Sequence, residues 1–214
     1  MKYLKNIKIP LPPLDIQEKI VKECEEIDKI NEKLKKENEE LKKEIEEIVK
    51  NIDGNEEKLG NILSLEYGKN LPIAKRIKGE YPVVGSNGVI GYHNTYFVKS
   101  PCIIVGRKGS AGKVTWINKD CYPIDTTFYV VLKKNAILKF IYYQLKVLNL
   151  QGGGTGVPGI NRNEIYKVTI PLPPIQKQKQ IMTQIEFIEN KIEKNNQKLN
   201  SLKNKKEEIL REYL

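Results

Sequence analysis

A glycine-rich stretch at residues 106–114, Gly-Arg-Lys-Gly-Ser-Ala-Gly-Lys-Val, is the part of this sequence most typical of phosphate binding. Glycines let backbone amides approach a phosphate, and Arg107, Lys108 and Lys113 supply positive charge. A nucleotide-binding P-loop has four residues between its first glycine and its Gly-Lys pair, followed by Ser or Thr. Here five residues intervene and Val114 follows the lysine. The pattern therefore predicts a loop between two strands that contacts a nucleic-acid backbone; a tight hairpin with solvated cations is the alternative.

A second glycine-dense stretch occupies residues 151–159, and Asn161 and Arg162 follow it. It lacks a terminal Lys-Ser/Thr pair, so it does not predict nucleotide binding either. Flexible backbone beside Asn and Arg suits contact with nucleic acid, and it suits an ordinary connection nearly as well.

The residue patterns of known catalytic sites are missing. Leu11 and Leu172 precede the two Pro-Pro pairs, whereas adenine methyltransferases have Asn or Asp there. Nuclease chemistry needs clustered carboxylates with a lysine, and residues 58–167 contain only five Asp and Glu. His93 is the single histidine, and the cysteines Cys24, Cys102 and Cys121 lack metal-ligand spacing. We predict a non-catalytic chain with no metal, no cofactor of its own and reduced thiols.

Positive charge is concentrated in the middle of the chain. The 214 residues carry a formal net charge of +10. Residues 58–167 contain 16 Lys and Arg against 5 Asp and Glu, a net of +11, whereas residues 15–50 contain 9 Lys against 13 Asp and Glu, a net of −4. This distribution favours phosphate contact and base reading by the central region. No apolar run is long enough to span a membrane, so we expect a cytoplasmic protein with no membrane role.

An internal repeat organises the chain. Residues 9–14, Ile-Pro-Leu-Pro-Pro-Leu, return 161 residues later as residues 170–175, Ile-Pro-Leu-Pro-Pro-Ile, and Gln17 and Gln178 follow at the same spacing. Both copies are therefore expected to build the same local structure.

Each proline segment leads into a heptad pattern of apolar residues. A narrow stripe on a helix of roughly 35 residues, about 50 Å long, must pack against another helix. The sequence leaves open whether the two helices pair within one chain or between chains. Polar residues at four heptad positions, Asn31, Asn38, Asn195 and Lys206, are predicted to set the register; a solvated stretch is the alternative. The predicted interface residues are Ile20, Ile27, Asn31, Leu34, Asn38, Leu41, Ile48, Ile181, Ile188, Ile192, Leu199 and Leu202.

The region between the helices is rich in Gly, Tyr, Val and Ile, with β-like runs at 81–84, 102–105, 113–117 and 126–132 and a helical run at 136–146. We predict an α+β fold: one irregular mixed domain flanked by two long coiled-coil α-helices. The predicted divisions are a proline segment at 1–14, a first helix at 15–52, the central domain at 53–169, and a second proline segment and helix at 170–214.

In their order, these motifs resemble the specificity subunits of type I restriction-modification systems. The repeated proline segments before long helices are similar to the conserved regions of that family. Residues 81–92 resemble the P-x-x-G-S-x-G-x-x-G run of its target recognition domains, and residues 104–113 and 124–128 are similar to two further family stretches. The resemblance covers essentially the whole chain.

The resemblance implies a non-catalytic subunit that reads a bipartite target in double-stranded DNA. Separate modification subunits would bind S-adenosylmethionine and methylate adenine, and separate restriction subunits would use ATP to translocate and cleave. Family members carry two recognition domains, whereas this sequence has one, so it resembles a half-length or circularly rearranged form. We expect a homodimer that reads an inverted site; a fragment or a partner half-subunit is the alternative.

Two other functions stay open. One is a coiled-coil adaptor whose basic domain binds protein, and the other is DNA reading within a fused-type system with different catalytic partners.

Motifs shared by readers of different sequences are expected to build the domain or to contact phosphate. Gly85, Gly106 and Gly112 are therefore predicted to be structural, and base readers are sought in less typical stretches. The predicted DNA-binding residues are Lys69, Lys75, Arg76, Ser86, Asn87, His93, Asn94, Arg107, Lys108, Ser110, Lys113, Asn161 and Arg162.

Overall fold

A computed structural model describes residues 11–148, 150 and 160–213 of the chain. The glycine-dense stretch at 151–159 and residues 1–10 of the predicted proline segment at 1–14 lie outside these residues. The fold is α+β, which confirms the predicted class. The helices are α1 (Leu14–Lys50), α2 (Leu59–Ile62), α3 (Leu138–Val147), α4 (Arg162–Lys167) and α5 (Ile175–Tyr213). The strands are β1 (Asn55–Lys58), β2 (Leu63–Tyr67), β3 (Tyr81–Gly85), β4 (Gly88–His93), β5 (Cys102–Gly106), β6 (Val114–Ile117), β7 (Tyr122–Pro123), β8 (Thr127–Leu132) and β9 (Thr169–Leu172).

The chain divides into two compact units. One comprises the chain up to Ile45 together with the chain from Gln184 onward, and the other is Glu46–Thr183. We call the first the helical unit and the second the globular unit. The globular unit takes in the ends of both long helices, beyond the domain limits of 53 and 169 predicted from the sequence. No helix in the described ranges is long and apolar enough to cross a membrane.

The helical unit is an antiparallel pair formed by α1 and α5. Nζ of Lys206 lies 2.7 Å from both carboxylate oxygens of Asp28, whereas Asn38, ten residues further along α1, meets Asn196 in an earlier turn of α5 at 3.0 Å. Ile209 packs with apolar residues of the first turns of α1. The helices therefore pair within one chain, which decides the alternative that the sequence left open.

The burial of the predicted interface residues is compatible with a contact stripe along these helices. Each predicted interface residue is at least half-buried, because the a and d positions of a heptad repeat on the same side of a helix. The buried members are Ile20, Ile27, Leu34, Asn38, Leu41, Ile181 and Ile188, and the half-buried ones are Asn31, Ile48, Ile192, Leu199 and Leu202.

The buried asparagine at the centre of this stripe is hydrogen-bonded. Asn38 is only 5% exposed; its Nδ2 donates to Oδ1 of Asn196 and its Oδ1 accepts from Nδ2 of Asn195, both at 3.0 Å. A shift of the pairing by one turn would leave the buried amide of Asn38 without these partners, which costs more than the bonds contribute. The role predicted for Asn38 in fixing the register fits this geometry better than a solvated stretch does.

The globular unit contains three sheets. An antiparallel sheet of four strands has the order β2-β8-β5-β6, a second has the order β4-β3-β7, and β1 pairs with β9. All five residues of β5 are buried, because this strand lies between two neighbours in the largest sheet. The predicted β-like runs and the helical run correspond to β3, β5, β6, β8 and α3, whereas β1, β2, β4, β7, β9, α2 and α4 were not predicted.

The two proline segments form the same local structure. Nε2 of Gln17 donates to the carbonyl oxygen of Pro12 at 2.7 Å, and Nε2 of Gln178 donates to that of Pro173 at 2.8 Å. The second copy makes one more contact, because Oε1 of Gln178 accepts the backbone N–H of Ile137 at 2.9 Å. Gln178 is 1% exposed, and it thereby joins the start of α5 to the segment that precedes α3.

Replacing Gln178 should therefore destabilise the globular unit. We expect Gln178→Ala to lower the free energy of unfolding in urea by about 2 kcal/mol, because two backbone groups lose their partner. Gln17→Ala removes the equivalent bond from the half-buried first copy and should cost less than half as much. Equal losses in the two variants would contradict this account.

Candidate nucleic-acid interface

The ends of three strands meet at one end of the four-stranded sheet. β8 pairs antiparallel with both β2 and β5, so that Tyr67 lies opposite Phe128 and Gly106 lies opposite Thr127. The last residue of β2, the first residues of β8 and the residue after β5 are therefore brought together. These residues are 20 to 61 positions apart in the sequence, and only the strand pairing makes them neighbours.

Two arginines lie close to the ring of Tyr67 at this end of the sheet. The guanidinium carbon of Arg107 lies 5.3 Å from the centre of the Tyr67 ring and 6.0 Å from that of Phe128. The guanidinium carbon of Arg162, in the first turn of α4, lies 5.0 Å from the Tyr67 ring. The two rings are 5.0 Å apart. We call Tyr67, Arg107, Phe128 and Arg162 the arginine–tyrosine cluster.

The arginines of the cluster donate to backbone carbonyls. Nε and Nη2 of Arg107 donate to the backbone carbonyl of Asp125 at 3.0 and 2.5 Å, and Nη1 of Arg162 lies 3.5 Å from the carbonyl of Leu65. Within the part of the chain that the structure describes, neither arginine forms an ion pair. Tyr67 is 51% exposed, so the cluster presents two cations and an aromatic face to solvent. This combination suits a nucleic acid, whose phosphates and bases match the cations and the ring.

The glycine-rich stretch forms a hairpin between β5 and β6, which confirms the predicted loop between strands. Gly109 and Gly112 have φ angles of 74° and 87°, in the left-handed region that favours glycine. A Cβ on Gly106 would lie 2.2 Å from the carbonyl oxygen of Ser110. The glycines therefore shape the hairpin, and Lys108 near its tip is exposed.

The base of this hairpin is tied to the turn between β3 and β4. Nζ of Lys113 donates to the backbone carbonyl and to Oδ1 of Asn87, at 3.0 and 2.7 Å. Oγ of Ser86 donates to the carbonyl oxygen of Thr126 at 2.6 Å, and the backbone amide of Arg107 donates to the same oxygen at 2.8 Å. These bonds assemble Ser86, Asn87, Arg107 and Lys113 into one surface around the hairpin.

Three more of the predicted residues have structural roles or partners near this surface. Nζ of Lys69 lies 4.5 Å from the centre of the Phe97 ring, and the side chain remains exposed. Oδ1 of Asn161 accepts the backbone N–H of Asn163 and caps α4, which fixes the direction in which Arg162 leaves the helix. Ser110 is half-buried in the hairpin.

The remaining predicted residues lie around β4. Nη1 of Arg76 donates to the carbonyl of Ile90 at 3.0 Å, while Lys75 and Asn94 are exposed. His93 is 6% exposed, and its Nδ1 accepts the backbone N–H of Ile77 at 3.0 Å. Its ring also contacts Tyr122 edge-on, with the ring centres 5.6 Å apart. This burial argues against a direct DNA contact by His93.

The sequence pattern missed Tyr67 and Phe128. A weak signal was present, since Leu63, Leu65 and Tyr67 alternate as a half-buried strand would require. The alternation shows neither that the strand ends at Tyr67 nor that two arginines from distant segments reach its ring.

The family model described as type I restriction modification DNA specificity domain matches residues 1–43 and 52–204 of the chain. The type I restriction enzyme MjaVIII specificity subunit of Methanocaldococcus jannaschii is 23% identical over 172 residues, which cover 72% of this chain and 40% of that protein.

Two solved structures share the fold. The S subunit of a type I restriction-modification system from M. genitalium has a TM-score of 0.71 at 18% identity, covering 92% of this chain and 60% of that one. The HsdS subunit from Thermoanaerobacter tengcongensis has a TM-score of 0.61 at 16% identity, covering 96% of this chain and 59% of that one. The chain thus spans about two fifths to three fifths of the length of these relatives.

The buried position of His93 leads to a stability prediction. His93→Ala should lower the free energy of unfolding by about 1–3 kcal/mol, because the amide of Ile77 loses its acceptor and a buried ring is removed. The exposed neighbour provides the control: Asn94→Ala should change stability by less than about 0.5 kcal/mol. Urea titration followed by circular dichroism measures both. A His93→Ala variant as stable as the wild type would show that the ring is not part of the core.

Proposed function

The chain belongs to the type I restriction modification DNA specificity family, and we propose that its globular unit reads one half of a bipartite DNA target. The observation that carries this proposal is the arginine–tyrosine cluster beside the 106–114 hairpin. Two guanidiniums that form no ion pair among the described residues, and an exposed ring, lie together at one end of the four-stranded sheet.

Charge supports the same surface. Residues 58–167 carry a net charge of +11, and exposed Lys69, Lys108 and Lys113 lie on or next to the hairpin and the cluster. Lysines neutralise phosphates and release counterions, which supplies affinity without sequence preference. The surface therefore combines residues suited to affinity with arginines suited to base reading.

A bipartite target requires a second reading domain, and we propose that a second polypeptide supplies it. The first proline segment supports this, since its Leu11 and Leu14 are 82% and 75% exposed, whereas the equivalent Leu172 and Ile175 are half-buried in the globular unit. A homodimer is the simplest arrangement and stays a prediction. The helices already pair within the chain, so a dimer would have to form through other surfaces.

Docking to partner subunits completes the proposal. Specificity subunits are non-catalytic by family, and we propose that this chain positions modification and restriction subunits on DNA. S-adenosylmethionine and ATP on those subunits, and a cytoplasmic location, stay predictions. The adaptor alternative is not favoured, because it gives no reason for two unneutralised arginines around an exposed ring.

DNA binding should be strongly salt-dependent through the hairpin lysines. We expect the full chain to bind duplex DNA at low ionic strength, and Lys108→Ala and Lys113→Ala each to reduce the slope of log K against log salt by about one. Fluorescence anisotropy with a labelled duplex measures the slope. Lys36→Ala, at an 81% exposed side chain of α1, is the control and should leave the slope unchanged. No binding of the wild-type chain to DNA at low salt would favour the adaptor alternative.

The homodimer prediction has its own measurement. Sedimentation velocity at micromolar concentration should give a dimer, with Leu14→Glu shifting it toward monomer if the exposed first proline segment contributes. A wild-type chain that sediments only as a monomer while circular dichroism shows intact helices would rule out the homodimer.

A further inference from the structure

The geometry of the arginine–tyrosine cluster assigns a more specific role to one of its members. We propose that Arg107 is a specificity-determining residue that reads a guanine base, and that Tyr67 is a positioning residue that holds it. This rests on the proposed DNA-reading function. It replaces the expectation from the sequence that Arg107 contacts phosphate.

The hydrogen bonds of Arg107 leave the donors that guanine requires. A guanidinium has five N–H donors. The bonds from Nε and Nη2 to the carbonyl oxygen of Asp125 use two of them, so both N–H groups of Nη1 and one of Nη2 remain. The two adjacent terminal nitrogens, Nη1 and Nη2, therefore both keep donors that these two bonds do not use. Guanine presents N7 and O6 as adjacent acceptors in the major groove, and a paired contact from arginine is the commonest specific interaction with that base.

The side chain of Arg107 is fixed before DNA arrives. The Asp125 carbonyl holds one edge of the guanidinium, and the rings of Tyr67 and Phe128 lie 5.3 and 6.0 Å from its carbon. A base contact depends on direction, so a side chain that is already held loses less entropy on binding. Lys108, the next residue, is exposed on the hairpin. A flexible ammonium suits a phosphate, which tolerates many directions of approach.

The surroundings of the free donors favour a base edge over a phosphate. Tyr67 is 51% exposed and its ring centre lies 5.3 Å from the guanidinium carbon of Arg107. This ring offers an apolar surface of the kind that packs on base edges and thymine methyl groups. If Arg107 bound a phosphate instead, the Tyr67 ring would remain exposed to water. Arg107 and Tyr67 together thus form a reader with a polar and an apolar part.

Selection from a randomised duplex library tests this proposal with the full chain. The wild type should enrich a motif that contains an invariant G·C pair. Arg107→Lys keeps the charge but cannot make the paired contact, so discrimination at that one pair should fall by roughly 5- to 100-fold, while the other positions and the salt slope remain unchanged. Thermal melting confirms that each variant is folded.

Variants of Tyr67 test the positioning role while Arg107 is retained. Tyr67→Ala should lower the discrimination at the same base pair. Tyr67→Phe should keep the wild-type discrimination, because only the ring is required. Lys108→Ala is the matched phosphate control, with a lower salt slope and the wild-type motif. If Arg107→Lys enriches the wild-type motif with full discrimination, and Arg107→Ala behaves like Lys108→Ala, Arg107 contacts phosphate and the assignment is overturned. A wild type that binds duplex without enriching any motif would overturn the reading function itself.

Discussion

The pairing of β8 with both β2 and β5 is the constraint on which the candidate interface depends. Since β8 runs antiparallel to both neighbours, its first residues must lie beside the last residues of the other two strands. Tyr67, Phe128 and Arg107 become neighbours for this reason alone. The strand register therefore fixes this end of the sheet, and the hairpin and Arg162 of α4 lie next to it.

Electrostatics explains why the arginine–tyrosine cluster is suited to binding a polyanion. Two guanidiniums close to one ring repel each other, and neither forms an ion pair within the described residues. The ring quadrupole and the backbone carbonyls of Leu65 and Asp125 offset part of this repulsion without removing the net charge. A bound duplex would offset the rest. The acidic residues are concentrated instead in residues 15–50, where they line α1.

The two proline segments show how one sequence pattern serves two environments. The Gln-to-proline-carbonyl bond is local, five residues long, and forms in both copies. The contact from Gln178 to Ile137 depends on the globular unit, and it makes the second copy part of a core. The shared residues thus form the same local bond in both copies, while the surroundings gave each copy a different degree of burial.

The sequence by itself determined the features that depend on periodicity and local geometry. The heptads located both long helices and the residues that line their contact, because a stripe on a helix can be counted along the chain. The glycine-rich stretch 106–114 predicted a loop between two strands, and the left-handed backbone at Gly109 and Gly112 is a local requirement of that loop. Pairing of the helices within one chain, the burial of His93 and the arginine–tyrosine cluster were decided only by the tertiary structure. These depend on contacts between segments 16 to more than 150 residues apart, and no spacing along the sequence records which of those segments meet.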